Sequence, residues 1–148
     1  MRAKNNMTLD ILSLPENLSF ARVTVAAFAS QLDFTINDLE ELKVVVSEAV
    51  GNAIIHGYEG SGGKRVRIGV TLYPGAAEIV VEDTGRGIAD IEQAMMPAFS
   101  TDPERMGLGF TFMKSFTDDL RVESRPGLGT RVTMVKKPSL VMHSKVAQ

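Results

Sequence analysis

Glu48-Ala-Val-Gly-Asn52-Ala-Ile-Ile-His56 is the stretch on which the fold turns. Glu48, Asn52 and His56 recur every fourth position, so a helix sets them on one side. Leu39, Leu42, Val46, Ala49, Val50 and Ala53 fall on another side at helical spacing and form a face that needs a partner layer. A second stretch, Asp83-Thr-Gly85-Arg-Gly87, reads as a tight glycine turn opened by a carboxylate. Together the two read as the halves of a nucleotide site.

Asn37-Asp-Leu-Glu40 predicts the start of this helix, which runs to about His56 and stops at Gly57. Upstream, Met7 to Leu12 reads as a strand. Ser13-Leu-Pro-Glu16 then has capping-box spacing and predicts a helix to about Gln31 that carries Arg22. Downstream, Val66, Ile68, Val70 and Leu72 alternate with polar or small residues through Arg65 to Tyr73, the pattern of a half-buried strand. Pro74-Gly75 turns it back into Glu78 to Glu82, which ends at Asp83. Ile91 to Met96 reads as a short helix, Pro97 to Met106 as irregular, and Phe110 to Thr117 as another helix. Leu120 to Ser124 and Thr130 to Val135 form a last hairpin around Pro126-Gly-Leu-Gly129. The expected fold is α/β, a two-layer sandwich of a mixed, mainly antiparallel sheet covered on one face by helices. It occupies a single domain, residues 1–137, with residues 138–148 a frayed tail.

Composition narrows the function classes. With 148 residues, 44% hydrophobic and 23% charged, the chain supports one core. A net charge of -2 with mixed signs provides no basic stripe for direct nucleic-acid binding and no polybasic membrane patch. The absence of cysteine excludes disulfides, thiolate metal sites and cysteine nucleophiles, and fits a reducing cytoplasm. There is no signal-peptide core and no run of about 18 apolar residues such as a membrane span requires. The expectation is a soluble, cytoplasmic protein.

The candidate chemistry comes in segments. Glu48 and Asn52 offer a carboxylate and an amide oxygen on one helix face. Magnesium on phosphates keeps several waters and needs few protein oxygens, so Asn52 could serve as its ligand and Glu48 as a general base. A solvated face of an amphipathic helix explains the same residues. Asp83 could accept a hydrogen bond from an exocyclic amine, with Gly85 and Gly87 leaving room for a planar ligand; ordinary turn chemistry also favours Asp and Gly there. Arg105-Met-Gly107-Leu-Gly109-Phe110 puts glycines before a helix, where free N–H groups suit phosphate and Arg105 could reach its end. A plain loop-to-helix junction is the alternative. Gly60-Ser-Gly-Gly-Lys64 lacks the spacing of a P-loop. His56 has only His143 for company, so a packing role fits it better than metal binding.

Glu48 through Tyr58, Asp83 to Gly87, Gly107-Leu-Gly109 and Gly129-Thr130 resemble, in order, the asparagine box, the two glycine boxes and the terminal Gly-Thr box of the Bergerat-fold ATP-binding superfamily, which includes gyrase B and histidine kinases. Ser19-Phe-Ala-Arg22-Val-Thr-Val-Ala-Ala-Phe28 and Val45-Val-Ser-Glu-Ala-Val50 resemble more closely the sporulation anti-sigma F factors, a family of serine kinases. The resemblance runs from about Met7 to Lys137. It implies that Asn52 coordinates Mg2+ and that Glu48 is the base toward a serine of an anti-anti-sigma factor. It implies that Asp83 reads the adenine amine of ATP or ADP, with Thr130 assisting through water and Gly85 and Gly87 flanking the base. Gly107 and Gly109 would hold phosphates, Arg105 would contact the γ-phosphate, and an exposed Arg22 would grip both sigma factor F and the anti-anti-sigma factor.

The family also implies a homodimer. Two features depart from its pattern: the lid between Thr101 and Gly107 is shorter than usual, and Gly51 stands where relatives often carry a polar residue. Three rivals share parts of this reading. A general-stress anti-sigma kinase would keep the site and change the sigma partner. A non-catalytic ATP-binding module would lack a competent base, and a detached histidine-kinase domain would need a dimerising helical pair for which 148 residues leave no room.

Overall fold

Strand alternation at Arg65–Tyr73 sets the layer order, because Val66, Ile68, Val70 and Leu72 are each at most 1% exposed while their neighbours face outward. The computed structural model describes residues 2–59, 62–91 and 109–139. Within them, β1 (Asn5–Leu12), β2 (Arg65–Tyr73), β3 (Ala76–Asp83), β4 (Asp119–Arg125) and β5 (Gly129–Lys136) form one sheet in the order β1-β2-β3-β5-β4. The mainly antiparallel sheet expected from sequence is antiparallel at every one of these pairings. Pro74-Gly75 makes the expected turn, with Gly75 at φ +81°.

The helices α1 (Asn17–Ala29), α2 (Ile36–Asn52) and α3 (Gly109–Ser115) cover the apolar side of the sheet. Leu42, Val45, Val46, Ala49 and Val50 of α2 pack with Ala21, Val25 and Met113 on Ile68, Val70, Ile79, Val81 and Met134. Burying each of the larger side chains contributes on the order of 1.5–3 kcal/mol. Lys136 ties the layers together: it is 5% exposed, and its Nζ donates to Glu41 Oε1 at 2.9 Å and to the carbonyl of Phe116 at 2.7 Å. No helix among the described residues is long and apolar enough to cross a membrane.

Both helix starts differ from the sequence expectation. Ser13 does not cap α1, because its hydroxyl accepts the Lys64 N–H at 3.1 Å and its own N–H donates to the Lys64 carbonyl at 2.9 Å. Tertiary pairing with the approach to β2 takes the side chain, and α1 begins at Asn17 behind Glu16, which makes no side-chain cap. Thr35, not Asn37, caps α2. Its hydroxyl accepts the Asp38 N–H and the Asp38 carboxylate accepts the Thr35 N–H, each at 3.0 Å. That carboxylate also accepts the backbone N–H of Ser139 at 3.0 Å and the Ser139 hydroxyl. At its other end α2 passes into a π-helical turn, Ala53–Gly57, instead of continuing regularly to His56. Of the expected helix from Ile91 to Met96 only Ile91 is described, and the segment from Pro97 to Met106 lies outside the described residues.

Candidate nucleotide site

Three strands end together on the helix side of the sheet. Asp83 on β3 stands opposite Thr130 on β5, which stands opposite Ser124 on β4. The row has the parity of the core residues Val81, Val132 and Val122, so it continues the inner face toward solvent. The next row, Glu82, Arg131 and Glu123, points to the other face, where Arg131 Nη2 meets Glu82 Oε2 at 2.7 Å. Strand parity thus keeps this surface ion pair away from Asp83.

Asp83 is held by its own turn. Burial raises its carboxyl above the ordinary carboxylate value, while N–H donation from Gly85, at 2.9 Å, and from Thr130 pulls it back only in part. The result is a half-buried acceptor that retains lone pairs. An N–H donor from a ligand would satisfy them.

The turn after Asp83 is locked to the end of the α2 segment. Gly57, last in the π-helical turn, accepts the Arg86 N–H at 2.9 Å through its carbonyl. A Cβ on Gly57 would come within 2.9 Å of the Asp83 carboxylate, and one on Gly85 within 2.0 Å of the Gly57 carbonyl. Gly87, at φ +76°, sits as tightly on Arg125, where a Cβ would lie 2.0 Å from that carbonyl. The space expected to flank a base at Gly85 and Gly87 is, on the Cβ side, filled by protein backbone. Their missing side chains let the chain pack on itself. Gly129, at φ +97°, likewise lets β5 approach the Asp83 carbonyl.

Tyr58 and Ser124 complete the lock, and sequence reasoning assigned neither a role. The Tyr58 hydroxyl donates to the Arg65 carbonyl at 2.6 Å and accepts the Thr84 N–H at 2.8 Å, so it pins the turn to the start of β2. Tyr58 stands inside the quoted Glu48-to-Tyr58 stretch, which was a usable signal. The Ser124 oxygen takes the Ile88 N–H at 2.7 Å and contacts Thr130 Oγ1 at 2.8 Å. Counting back around the Pro126-Gly-Leu-Gly129 turn would have placed it opposite Thr130.

The other expected residues fall as follows. Glu48 and Asn52 are half-buried one turn apart at the C-terminal end of α2, and the π-helical turn that follows Asn52 ends at Gly57, beside Asp83. Such turns insert an extra residue into a helix and often occur at functional sites. Gly109 is buried as the first residue of α3. Arg105 and Gly107 lie outside the described residues. Arg22 is half-buried, not the exposed arginine expected, and its Nη1 donates to Ser47 Oγ at 3.4 Å.

Residues 11–136 match the family described as Histidine kinase-like ATPase domain. An anti-sigma F factor of Bacillus subtilis is 50% identical over 135 residues, which are 90% of this chain and 92% of that protein. One of Clostridium acetobutylicum is 50% identical over 140 residues, 93% of this chain and 97% of that protein. Among solved structures, the RsbU and RsbW domains of Rv1364c from Mycobacterium tuberculosis superpose with a TM-score of 0.63 at 16% identity, covering 95% of this chain and 35% of that one. The mycobacterial sensor histidine kinase MprB superposes with a TM-score of 0.54 at 24% identity, covering 90% of this chain and 97% of that one. These two likenesses support the fold.

Proposed function

The chain belongs to the histidine kinase-like ATPase domain family and, within it, to the family of anti-sigma F factors, and from that premise we propose a protein with two linked activities. It binds sigma factor F and keeps it from RNA polymerase. It also uses Mg-ATP to phosphorylate a serine of an anti-anti-sigma factor, which weakens that competitor. It does so in the cytoplasm, as a homodimer.

The observation that carries the nucleotide reading is the interlock of Asp83 with Gly57, which joins an amine acceptor to the helix end bearing Asn52. The side chains suit an adenine nucleotide: a desolvated carboxylate in line with a threonine hydroxyl faces the exocyclic amine. They suit magnesium as well, in the sense that matters for a phosphate-borne ion. Among the described residues no group of three or more His, Asp or Glu side chains could hold a metal alone. An ion carried by phosphates needs few protein oxygens, and Asn52 supplies one. When bound, magnesium neutralises phosphate charge.

The remaining chemistry belongs to the chain and its partner. Glu48, on the same helix face as Asn52, takes the proton of the partner serine as its oxygen bonds to the γ-phosphorus and the bond to the ADP oxygen breaks. Phosphoryl transfer asks mostly for positioning and charge stabilisation, which one base, one amide and an arginine such as Arg105 provide. Gly107 and Gly109 offer backbone N–H groups to the phosphates. Arg22 keeps donors beyond the one used on Ser47 and presents them to sigma factor F and to the anti-anti-sigma factor.

Incubation with labelled ATP and the anti-anti-sigma factor tests the kinase. Transfer to serine is expected, with a loss of about a hundredfold or more in Glu48→Ala at retained ATP binding. No transfer, or undiminished transfer in Glu48→Ala, would defeat the mechanism. Arg22→Glu should abolish co-purification with sigma factor F, and unchanged co-purification would disprove that surface.

A further inference from the structure

Lys136 is a buried lysine whose ammonium reaches two helices at once. Its Nζ donates to Glu41 Oε1 on α2 at 2.9 Å and to the Phe116 carbonyl at 2.7 Å. Phe116 follows Ser115, the last residue of α3, and its N–H donates back to the Phe112 carbonyl. Its own carbonyl is therefore one of those that a helix end leaves without an internal partner, and a cation is the favoured donor there. Lys136 caps α3 from β5.

The two helices depend on this contact unequally. With 17 residues, α2 seats itself through Leu42, Val45, Val46, Ala49 and Val50. In contrast α3 has 7 residues, and Met113 is its one fully buried large side chain. A helix that short has little stability alone, and a single buried anchor leaves its axis free to pivot. The bond from Lys136 at the Phe116 end supplies the second fixed point. At the opposite end α3 starts with Gly109. The strand that carries the cap also sets Thr130 opposite Asp83, about 20 Å away along its length. One strand thus references α3 to the Asp83 turn.

We propose that Lys136 is a positioning residue for the phosphates of the bound nucleotide: by capping α3 from β5 it fixes the start of α3 relative to Asp83, so that a base held at Asp83 brings its phosphates to Gly109. The inference rests on the nucleotide reading of this site and adds to it the residue that sets the spacing between its two ends. Lys136 itself touches no nucleotide. It acts through α3, so its loss should weaken the grip on phosphates and spare the grip on the base.

NMR titration of the isotope-labelled full chain with Mg-ATP and with adenosine reads both affinities and reports folding in the same spectra. Lys136→Met removes the donor at similar volume, and Glu41, whose side chain is 30% exposed, can turn to water. ATP affinity should fall by about tenfold, while adenosine, which has no phosphates, should stay within about twofold of wild type. Glu41→Gln keeps an oxygen that accepts from Nζ and leaves the Phe116 cap in place, so both affinities should stay within about threefold. A fall in ATP affinity there equal to that of Lys136→Met would move the effect from α3 to α2 and overturn the proposal. Equal losses of ATP and adenosine in Lys136→Met would mark Lys136 as merely structural and also overturn it. Should Lys136→Met fail to fold, Lys136→Gln carries the same comparison, and an unchanged ratio of the two affinities refutes the inference. Wild-type protein that binds neither ligand would bring down the nucleotide reading and this proposal together. Wild type that binds ATP, with Lys136→Met unchanged, would remove Lys136 alone.

Discussion

Asp38 opens α2 and Asp83 meets the π-helical turn that follows it, so two aspartates bracket one helix in opposite states. Asp38 is 1% exposed. Burial alone would raise its carboxyl, but donation from the Ser139 hydroxyl and from the Ser139 and Thr35 N–H groups outweighs burial and brings it to about 2. Asp83 receives the Gly85 and Thr130 N–H groups, which do not outweigh burial, so its carboxyl stays raised. Donors outweigh burial at Asp38 and fall short of it at Asp83. A structural carboxylate has its lone pairs filled by the chain; a recognition carboxylate is left short of donors and accepts them from a ligand.

The largest stability effect should come from the filled end. Because the Asp38 carboxyl lies below its ordinary value of 3.8, its contribution is present in full above about pH 4 and is lost as pH falls through about 2. Chemical unfolding of wild type and Asp38→Asn should differ by about 2 kcal/mol at neutral pH, and that difference should vanish across this window. A pH-independent difference would mean the carboxylate charge is not what fastens Thr35 and Ser139. ATP binding should be little changed in the variant.

A smaller effect is expected where the two regions join. Tyr58→Phe removes the hydroxyl between Thr84 and Arg65 and should cost about 1 kcal/mol of stability. It loosens the Asp83 turn, so ATP binding should weaken by about threefold, a fraction of that hydrogen bond. Full ATP affinity in a destabilised Tyr58→Phe would separate the pin from the site.

The legible parts of the fold were those where one period or one turn had no competitor. The alternation from Val66 to Leu72 marks β2 from Arg65 to Tyr73, while β3 starts at Ala76, two residues before the expected Glu78. The helix starts differ from the expectation because side-chain oxygens have more than one use: Ser13 fits a capping box, yet the Lys64 backbone claims it. At Thr35 the box uses Asp38 where Glu or Gln is the usual signal. The π-helical turn at Ala53–Gly57 leaves the local composition unchanged, so periodicity passes over it. In the site, the quoted boxes single out Asp83 and Thr130, and the register sets the two opposite each other. Gly57, Tyr58 and Ser124 act through partners distant in sequence, such as Thr84 for Tyr58 and Ile88 for Ser124, which meet only in the folded chain.

Asp83, proposed to recognise the adenine of ATP, has its carboxyl raised by burial at some cost to the fold. Because its carboxyl is raised, the charged form weakens stability at neutral pH, and the penalty is relieved as pH falls. Calorimetric titration of ATP into Asp83→Asn, paired with its thermal melt, tests this directly. ATP affinity should fall by about a hundredfold, the loss of a charge-assisted hydrogen bond in a desolvated site, while the melting temperature holds or rises. Wild-type ATP affinity in Asp83→Asn would contradict it.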